Sequence, residues 1–196
     1  MKKLVLASSN PGKLRELSAL LHDWHYKIIP QAELNIADVA ETGTTFVENA
    51  IIKARHAAQQ TGYAALADDS GIVVDALNGE PGVYSARFSG SNASDDANNA
   101  LLVEKLRSVP ESQRSARYQA VIVYMRNAVD PSPIICEGSW EGVIVLDPRG
   151  SGGFGYDPYF YLPAYGCTSA ELSAEEKNRI SHRGKALKLL LERLPH

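Results

Sequence analysis

The sequence predicts an α/β fold built on a mixed sheet, and three observations predict it. The apolar run Leu4-Val5-Leu6-Ala7 stops at Ser8-Ser9-Asn10-Pro11 and passes into leucines at helical spacing, a strand, a tight loop and a helix in succession. Thr45 and Glu48 then announce a second helix by the capping-box pattern. From Arg117 to Leu146 strand-like runs follow one another without an intervening helix, so the strict β-α-β alternation of a doubly wound sheet is missing.

Taken in order, the first helix is capped by Asn10, has Pro11 at its first position, and carries Leu14, Leu17, Leu20 and Leu21 on one stripe. The second sets Val47, Ile51, Ala54 and Ala58 on one face and has Gly62 available to end it. Ala64 to Ala67 and Ile72 to Val74 read as two strand-like runs, with Asp68-Asp69-Ser70-Gly71 between them as a turn. The stretch from Asn78 to Asp95, rich in Gly, Ser, Asn and Pro, predicts a long ordered loop before a helix over 96–107. Strands are predicted over 117–125, 134–137 and 140–146, the last two parted by Gly138-Ser139, as an antiparallel meander. Beyond a glycine-rich segment, Tyr159-Phe160-Tyr161 resumes a strand. Ser173 and Glu176 cap a final helical region carrying Leu187, Leu190, Leu191 and Leu194.

Length and composition narrow the possible functions. A chain of 196 residues is expected to form one domain of two lobes, residues 1–196, with no separate linker. At 44% hydrophobic and 22% charged residues it is an ordinary globular composition. A formal charge of −3 argues against non-specific binding of nucleic acid, whose partners are usually strongly basic. Cys136 and Cys167 are too few for a disulfide framework and lack CxxC spacing, which suits a reducing cytoplasm. No apolar run approaches the ~20 residues that span a bilayer, so neither membrane insertion nor export is expected.

Several patches can carry chemistry. Ser8-Ser9-Asn10-Pro11-Gly12-Lys13 sets hydroxyls, an amide and backbone N–H groups at a helix start, where dipole and unpaired donors favour an anion, and Lys13 adds a point charge for phosphate. The loop fits neither GxxxxGK nor GxGxxG, and an ordinary capped turn uses the same residues. Asp68-Asp69 is the best candidate for a hard cation, since Mg²⁺ prefers carboxylate oxygens and bridges to phosphates. On extended backbone, adjacent carboxylates face opposite ways, so one can hold metal while the other orients or deprotonates water. A plain turn is the competing reading. Glu41 and Lys53 can add an oxygen ligand and a cation, or be solvated surface charges. Gly152 to Pro158 joins flexible glycines to Phe154, Tyr156 and Asp157, suiting a stacked heterocycle or, alternatively, a hinge with core aromatics. Lys177 and Ser181 share a helical face and Arg183 does not, so their convergence requires a bend near Ser181. His182 is a candidate donor to a base oxygen, a switch, or a surface residue. The histidines at 22, 25, 56, 182 and 196 show no zinc spacing, and no serine sits in a nucleophile elbow.

In order along the chain, these patches resemble the inosine/xanthosine triphosphate pyrophosphatases, house-cleaning enzymes of the Ham1/RdgB type. The matching segments are Ser8-Ser9-Asn10 with Lys13, Glu41-Thr42-Gly43, Phe46 to Ala54, Asp68 to Gly71, Pro81 to Arg87, Gly152 to Pro158, and Glu176 to Gly184. The resemblance implies a two-lobed ITPase-like α/β fold, with an elongated mixed β-sheet flanked by helices and a central substrate cleft, usually as a homodimer. It implies Mg²⁺-dependent hydrolysis of ITP, dITP and XTP to the monophosphate and pyrophosphate. Asp69 would activate water and contact Mg²⁺, with Glu41 and Asp68 near the metal. Ser8, Ser9, Asn10, Pro11, Gly12, Lys13 and Lys53 would hold the phosphates and Ser70 would touch substrate. Phe154, with Gly155 and Tyr156 beside it, would stack on the purine, while Asp157, Lys177, His182 and Arg183 would read the base. A Maf-type pyrophosphatase of different base preference and a catalytically silent nucleotide-binding protein are the alternatives.

Overall fold

Strand β1 (Lys2–Ala7) lies between two parallel neighbours, β2 (Tyr26–Pro30) and β3 (Ala64–Val74), with Leu4 opposite Ile28 on one side and Ala64 on the other. The computed structural model describes residues 2–22 and 26–194; His25 and His196 lie outside the described residues. The sheet runs β2-β1-β3-β4-β5-β6-β7, adding β4 (Ser115–Met125), β5 (Ile134–Ile144), β6 (Phe160–Leu162) and β7 (Cys167–Thr168). Because β6 runs antiparallel to both β5 and β7, the sheet is mixed, as expected. The helices are α1 (Pro11–Leu20), α2 (Phe46–Thr61), α3 (Asp95–Leu106), α4 (Ala174–Ile180) and α5 (His182–Arg193). No helix among the described residues is long and apolar enough to cross a membrane.

The chain divides into two compact units. The first comprises Met1–Asp69, Ala120–Gly138 and Arg183–His196. The inner part of β1 and the adjoining half of β3 are buried on both faces, the usual state of parallel strands. Leu4, Leu6 and Leu66 pack with Leu17 of α1 and Leu187 and Leu190 of α5. Val5, Ala7, Ala65 and Ala67 meet the alanine stripe of α2, Ala50, Ala54, Ala57 and Ala58. The side-chain period of two therefore assigns each strand residue to one helix layer or the other. Both predicted caps are present: Asn10 Oδ1 accepts from Lys13 N at 3.0 Å, and α2 starts in a reciprocal Thr45–Glu48 box and ends at Gly62 in left-handed geometry. The second unit comprises Ser70–Gln119 and Ser139–His182, around Ile72, Leu102, Tyr118, Trp140, Ile144 and Phe160.

Two predicted breaks are overturned. Asp68-Asp69-Ser70-Gly71 is not a turn but the middle of β3, and Gly138-Ser139 lies inside β5. In β5 the alternation through buried Cys136 and Trp140 continues across the pair, so a strand of one period replaces the two expected. In β3, apolar residues on both sides of the carboxylates are buried, and packing overrides the turn preference of Asp, Ser and Gly. The predicted bend is present: α4 stops at Ile180 and α5 starts at His182, with Ser181 extended between them.

Gly71 shows why β3 needs a glycine there. A Cβ at this position would stand 2.4 Å from both Gly82 O and Ser85 Oγ. Ser85 Oγ accepts from Ile72 N at 2.9 Å and donates to Gly82 O at 2.6 Å, and its carbonyl takes the Tyr156 hydroxyl at 2.7 Å. Gly71→Ala is expected to cost about 1–3 kcal/mol through overpacking, measured as a lowered urea midpoint at unchanged slope.

Candidate active site

Asp68 and Asp69 follow each other on β3 and continue opposite faces of it, Asp68 the face of Leu66 and Asp69 that of Ala65 and Ala67. Each meets the cation carried by the helix layer on its own side. Lys13, in the first turn of α1, places Nζ 2.8 Å from Asp68 Oδ2. Lys53 of α2 places Nζ 2.9 Å from Asp69 Oδ1 and 2.8 Å from Glu41 Oε1. Arg183, in the first turn of α5, completes the Asp68 side: Nε donates to Oδ1 at 3.2 Å, Nη2 to Oδ2 at 3.5 Å, and Nη1 to Glu16 Oε2.

The loop before α2 carries Glu41 and is fastened to that helix. Gly43 N donates to Asn49 Oδ1 at 2.8 Å, and Thr44 N and Thr45 N both donate to Glu48 Oε2 at 2.9 Å. A Cβ on Gly43 would lie 2.5 Å from that of Glu48, so the close approach requires glycine.

Burial sets the electrostatics. It would raise the Asp68 carboxyl, but Arg183 and Lys13 outweigh it and hold the group far below the usual carboxylate range. On Asp69 burial prevails over the attraction of Lys53 and Lys13, and its pKa is raised. Burial also opposes the charge on both lysines. On Lys53 the pull of Asp69 and Glu41 overcomes it and the pKa rises, whereas Lys13, with Lys53 and Arg183 nearby, is lowered despite Asp68. Asp69 Oδ2 is buried without a hydrogen-bond partner, an acceptor left over in a cationic setting.

That donor set suits a hard dication in part. Glu41 and Asp69 offer carboxylate oxygens around one ammonium, and Asp69 keeps the orphaned Oδ2; Asp68 has both oxygens on cations. Among the described residues no three His, Cys, Asp or Glu side chains form a group able to hold a metal. Two carboxylates fit Mg²⁺ nonetheless, which commonly takes one or two and fills its remaining positions with water and substrate phosphate.

The second unit gathers the aromatic loop. Gly153 and Gly155 have φ of +74° and +63°, values that favour glycine, and they turn Phe154 out between them. Asp157 is buried and accepts three hydrogen bonds: Oδ2 from Phe154 N at 2.8 Å and Lys177 Nζ at 2.6 Å, and Oδ1 from Ser169 Oγ at 2.7 Å. Lys177 Nζ stands 4.9 Å from the Phe154 ring centroid, within cation–π range. His182 is buried and stacks on Tyr118, centroids 4.7 Å apart at 7°.

The predicted residues thus come as two sets. Lys13, Glu41, Lys53, Asp68, Asp69 and Arg183 meet in the first unit, where Ser8 and Gly12 are buried, Asn10 half-buried, and Ser9 and Pro11 exposed. Phe154, Gly155, Tyr156, Asp157, Lys177 and His182 belong to the second, and so does half-buried Ser70. Arg183, expected among the base-reading groups, is joined to Asp68 and Glu16. Glu16 was missed, although its place three residues after Lys13 puts it on the same helix face; Ser169 and the Tyr118–His182 stack leave no sequence signal.

A model of the Ham1 family matches residues 4–193. The dITP/XTP pyrophosphatases of Shigella flexneri and Escherichia coli O157:H7 are each 57% identical over 194 residues, 99% of this chain and 98% of theirs. A HAM1 protein from Coxiella burnetii superposes with a TM-score of 0.90 at 55% identity, covering 97% of this chain and 96% of its own. The Staphylococcus aureus Ham1 protein gives 0.86 at 43% identity, with 97% of both chains covered.

The Asp68 network makes a pH prediction. Its carboxyl ionises at lower pH folded than unfolded, so its contribution is complete above the unfolded value of about 3.9 and is lost as pH falls toward the folded one. Asp68→Asn, which leaves Arg183 and Lys13 short of a counter-charge, is expected to cost about 3–5 kcal/mol at pH 7 by urea unfolding. The difference from wild type is expected to narrow below about pH 4, as the carboxylate of the unfolded chain takes up its proton while the folded one stays ionised.

Proposed function

The chain belongs to the Ham1 family, and from that premise we propose that it hydrolyses deaminated purine nucleoside triphosphates, ITP, dITP and XTP, to the monophosphate and pyrophosphate. The observation that carries the reading is Asp69: a buried carboxylate with raised pKa, one oxygen on Lys53 and the other without a partner. Such a group is built to take a proton, and a second ammonium, Lys13, is held through Asp68.

In this reading Glu41 and Asp69 would hold Mg²⁺. When bound, the ion neutralises charge on the phosphoryl oxygens and polarises the bond to be broken. Lys13, Lys53 and the backbone donors of the Ser8–Gly12 loop bind the triphosphate, whose negative charge they match from fixed positions. The Asp69 carboxylate would accept the proton of a water attacking one phosphorus of the α–β anhydride; the new P–O bond forms as the bond to the bridging oxygen breaks, and pyrophosphate departs. Arg183 touches Asp68 and Glu16, so its part is to hold the Asp68–Lys13 pair in position.

The second unit supplies what a 6-oxopurine needs: an aromatic face on Phe154 and a donor-only group, Lys177, fixed beside it by Asp157. A 6-amino purine would set a donor against a donor, a mismatch that well-built polar sites reject by about 10⁴-fold. His182 is a second donor of this set. The reading carries with it a second copy of the chain as partner and a cytoplasmic place, the latter supported by the free thiols of Cys136 and Cys167.

Product identity tests the proposal: pyrophosphate, not orthophosphate, is expected from ITP with added Mg²⁺. Orthophosphate alone, or no product from any of the three nucleotides, would refute it. Asp69→Asn is expected to lower kcat by about 10²–10⁴ while binding of ITP by calorimetry persists. Phe154→Ala is expected to weaken binding of ITP by about 1–3 kcal/mol, the usual worth of a base stacked on an aromatic ring.

A further inference from the structure

Helix α3 takes no part in the reaction proposed above, yet two of its side chains close on one residue of the aromatic loop. Gly155 N donates to Asp95 Oδ2 at 2.7 Å, and Asn99 Nδ2 donates to Gly155 O at 3.0 Å. Residues four apart on a helix share a face, so both backbone groups of Gly155 are gripped by a single stripe of α3. Gly155 follows Phe154 directly, and Phe154 N is itself bound to Asp157. The loop that presents the aromatic ring is thereby fixed at both ends, by Asp157 from within and by α3 from outside.

Neither residue is accounted for by the helix alone. An acidic side chain in the first turn complements the dipole, but Asp96 does that as well, and it is Asp95 that meets the loop. Asn99 is buried, and its Oδ1 lies buried with no hydrogen-bond partner. A leucine of similar size would fill the space without an orphaned acceptor of its own but would leave Gly155 O without its donor, so packing does not explain the amide. The contact with Gly155 does. The helix is fastened in turn at its neighbouring position, where Asn98 Oδ1 accepts from Ser89 N at 2.8 Å and Asn98 Nδ2 donates to Ala86 O at 3.3 Å.

We propose that Asp95 and Asn99 are positioning residues for base recognition: together they clamp Gly155, and so set where the Phe154 ring stands relative to Lys177 and how sharply the purine is selected. The effect on nucleotides rests on the function proposed above; the clamp itself does not.

Wild type is compared with Asp95→Ala, Asp95→Asn and Asn99→Leu by hydrogen exchange, thermal melting and turnover of ITP and ATP. Exchange of the 154–157 amides is expected to quicken at least ten-fold in Asp95→Ala and Asn99→Leu. It is expected to return toward wild type in Asp95→Asn, whose amide oxygen still accepts from Gly155 N. For Asn99→Leu the melting temperature is expected to hold or rise, while KM for ITP rises about three- to ten-fold, kcat changes less, and the preference for ITP over ATP falls. A merely structural role would give the reverse pattern, a lowered melting temperature with KM and preference intact, and that result overturns the proposal. Unchanged exchange of the 154–157 amides in both disruptive variants overturns it as well. If wild type releases pyrophosphate from none of the nucleotides, the functional reading fails and the exchange data still decide whether the clamp exists.

Discussion

Two successive carboxylates on one strand must look in opposite directions, and the first unit is organised by how each is answered. Asp68 turns toward the layer of α1 and α5 and finds Lys13 and Arg183; Asp69 turns toward α2 and finds Lys53, with Glu41 on the far side of that ammonium. None of this is cheap. Withdrawing ions from water costs several kcal/mol apiece, and buried pairs are often no more stable than well-packed apolar side chains of the same size. What the arrangement does achieve is to hold the ammonium groups of Lys13 and Lys53 and the Arg183 guanidinium at set positions, a preorganised charge pattern that the proposed function would use. The two carboxylates are also driven apart electrostatically, Asp68 below its ordinary range and Asp69 above, which separates a permanent counter-ion from a group able to accept a proton.

The second unit solves a different problem, that of keeping a flexible glycine segment in one shape. Asp157 does so from inside, collecting a backbone amide, an ammonium and a hydroxyl on its two oxygens. Three of roughly four acceptor positions are thus filled within the protein. Lys177 is held by this carboxylate, and it stands over Phe154.

Local chemistry was legible in the sequence wherever it was also local in space. The Asn10 cap, the Thr45–Glu48 box, the Gly62 stop and the break at Ser181 are decided within four or five residues, and each is found where the pattern indicates. Asp68-Asp69-Ser70-Gly71 misled because its composition speaks for a turn, and what cancels that preference is the tertiary burial of the apolar residues on either side, which four residues do not reveal. Arg183 is the sharper case. The family resemblance implied work on the base, and the guanidinium meets Asp68, 115 residues distant, and Glu16, 167 residues distant. Side-chain direction after a helix break cannot be read from spacing, and β2 and β7, short strands with little periodicity of their own, were invisible for a related reason: their pairing, not their composition, makes them strands.

The ammonium over Phe154 has one more implication. An aromatic ring is a plate with two sides, and a cation seated against one of them draws electron density toward itself. Under the function proposed above, a purine stacking on this ring has only the opposite face to use, and the lysine makes the plate one-sided before any ligand comes.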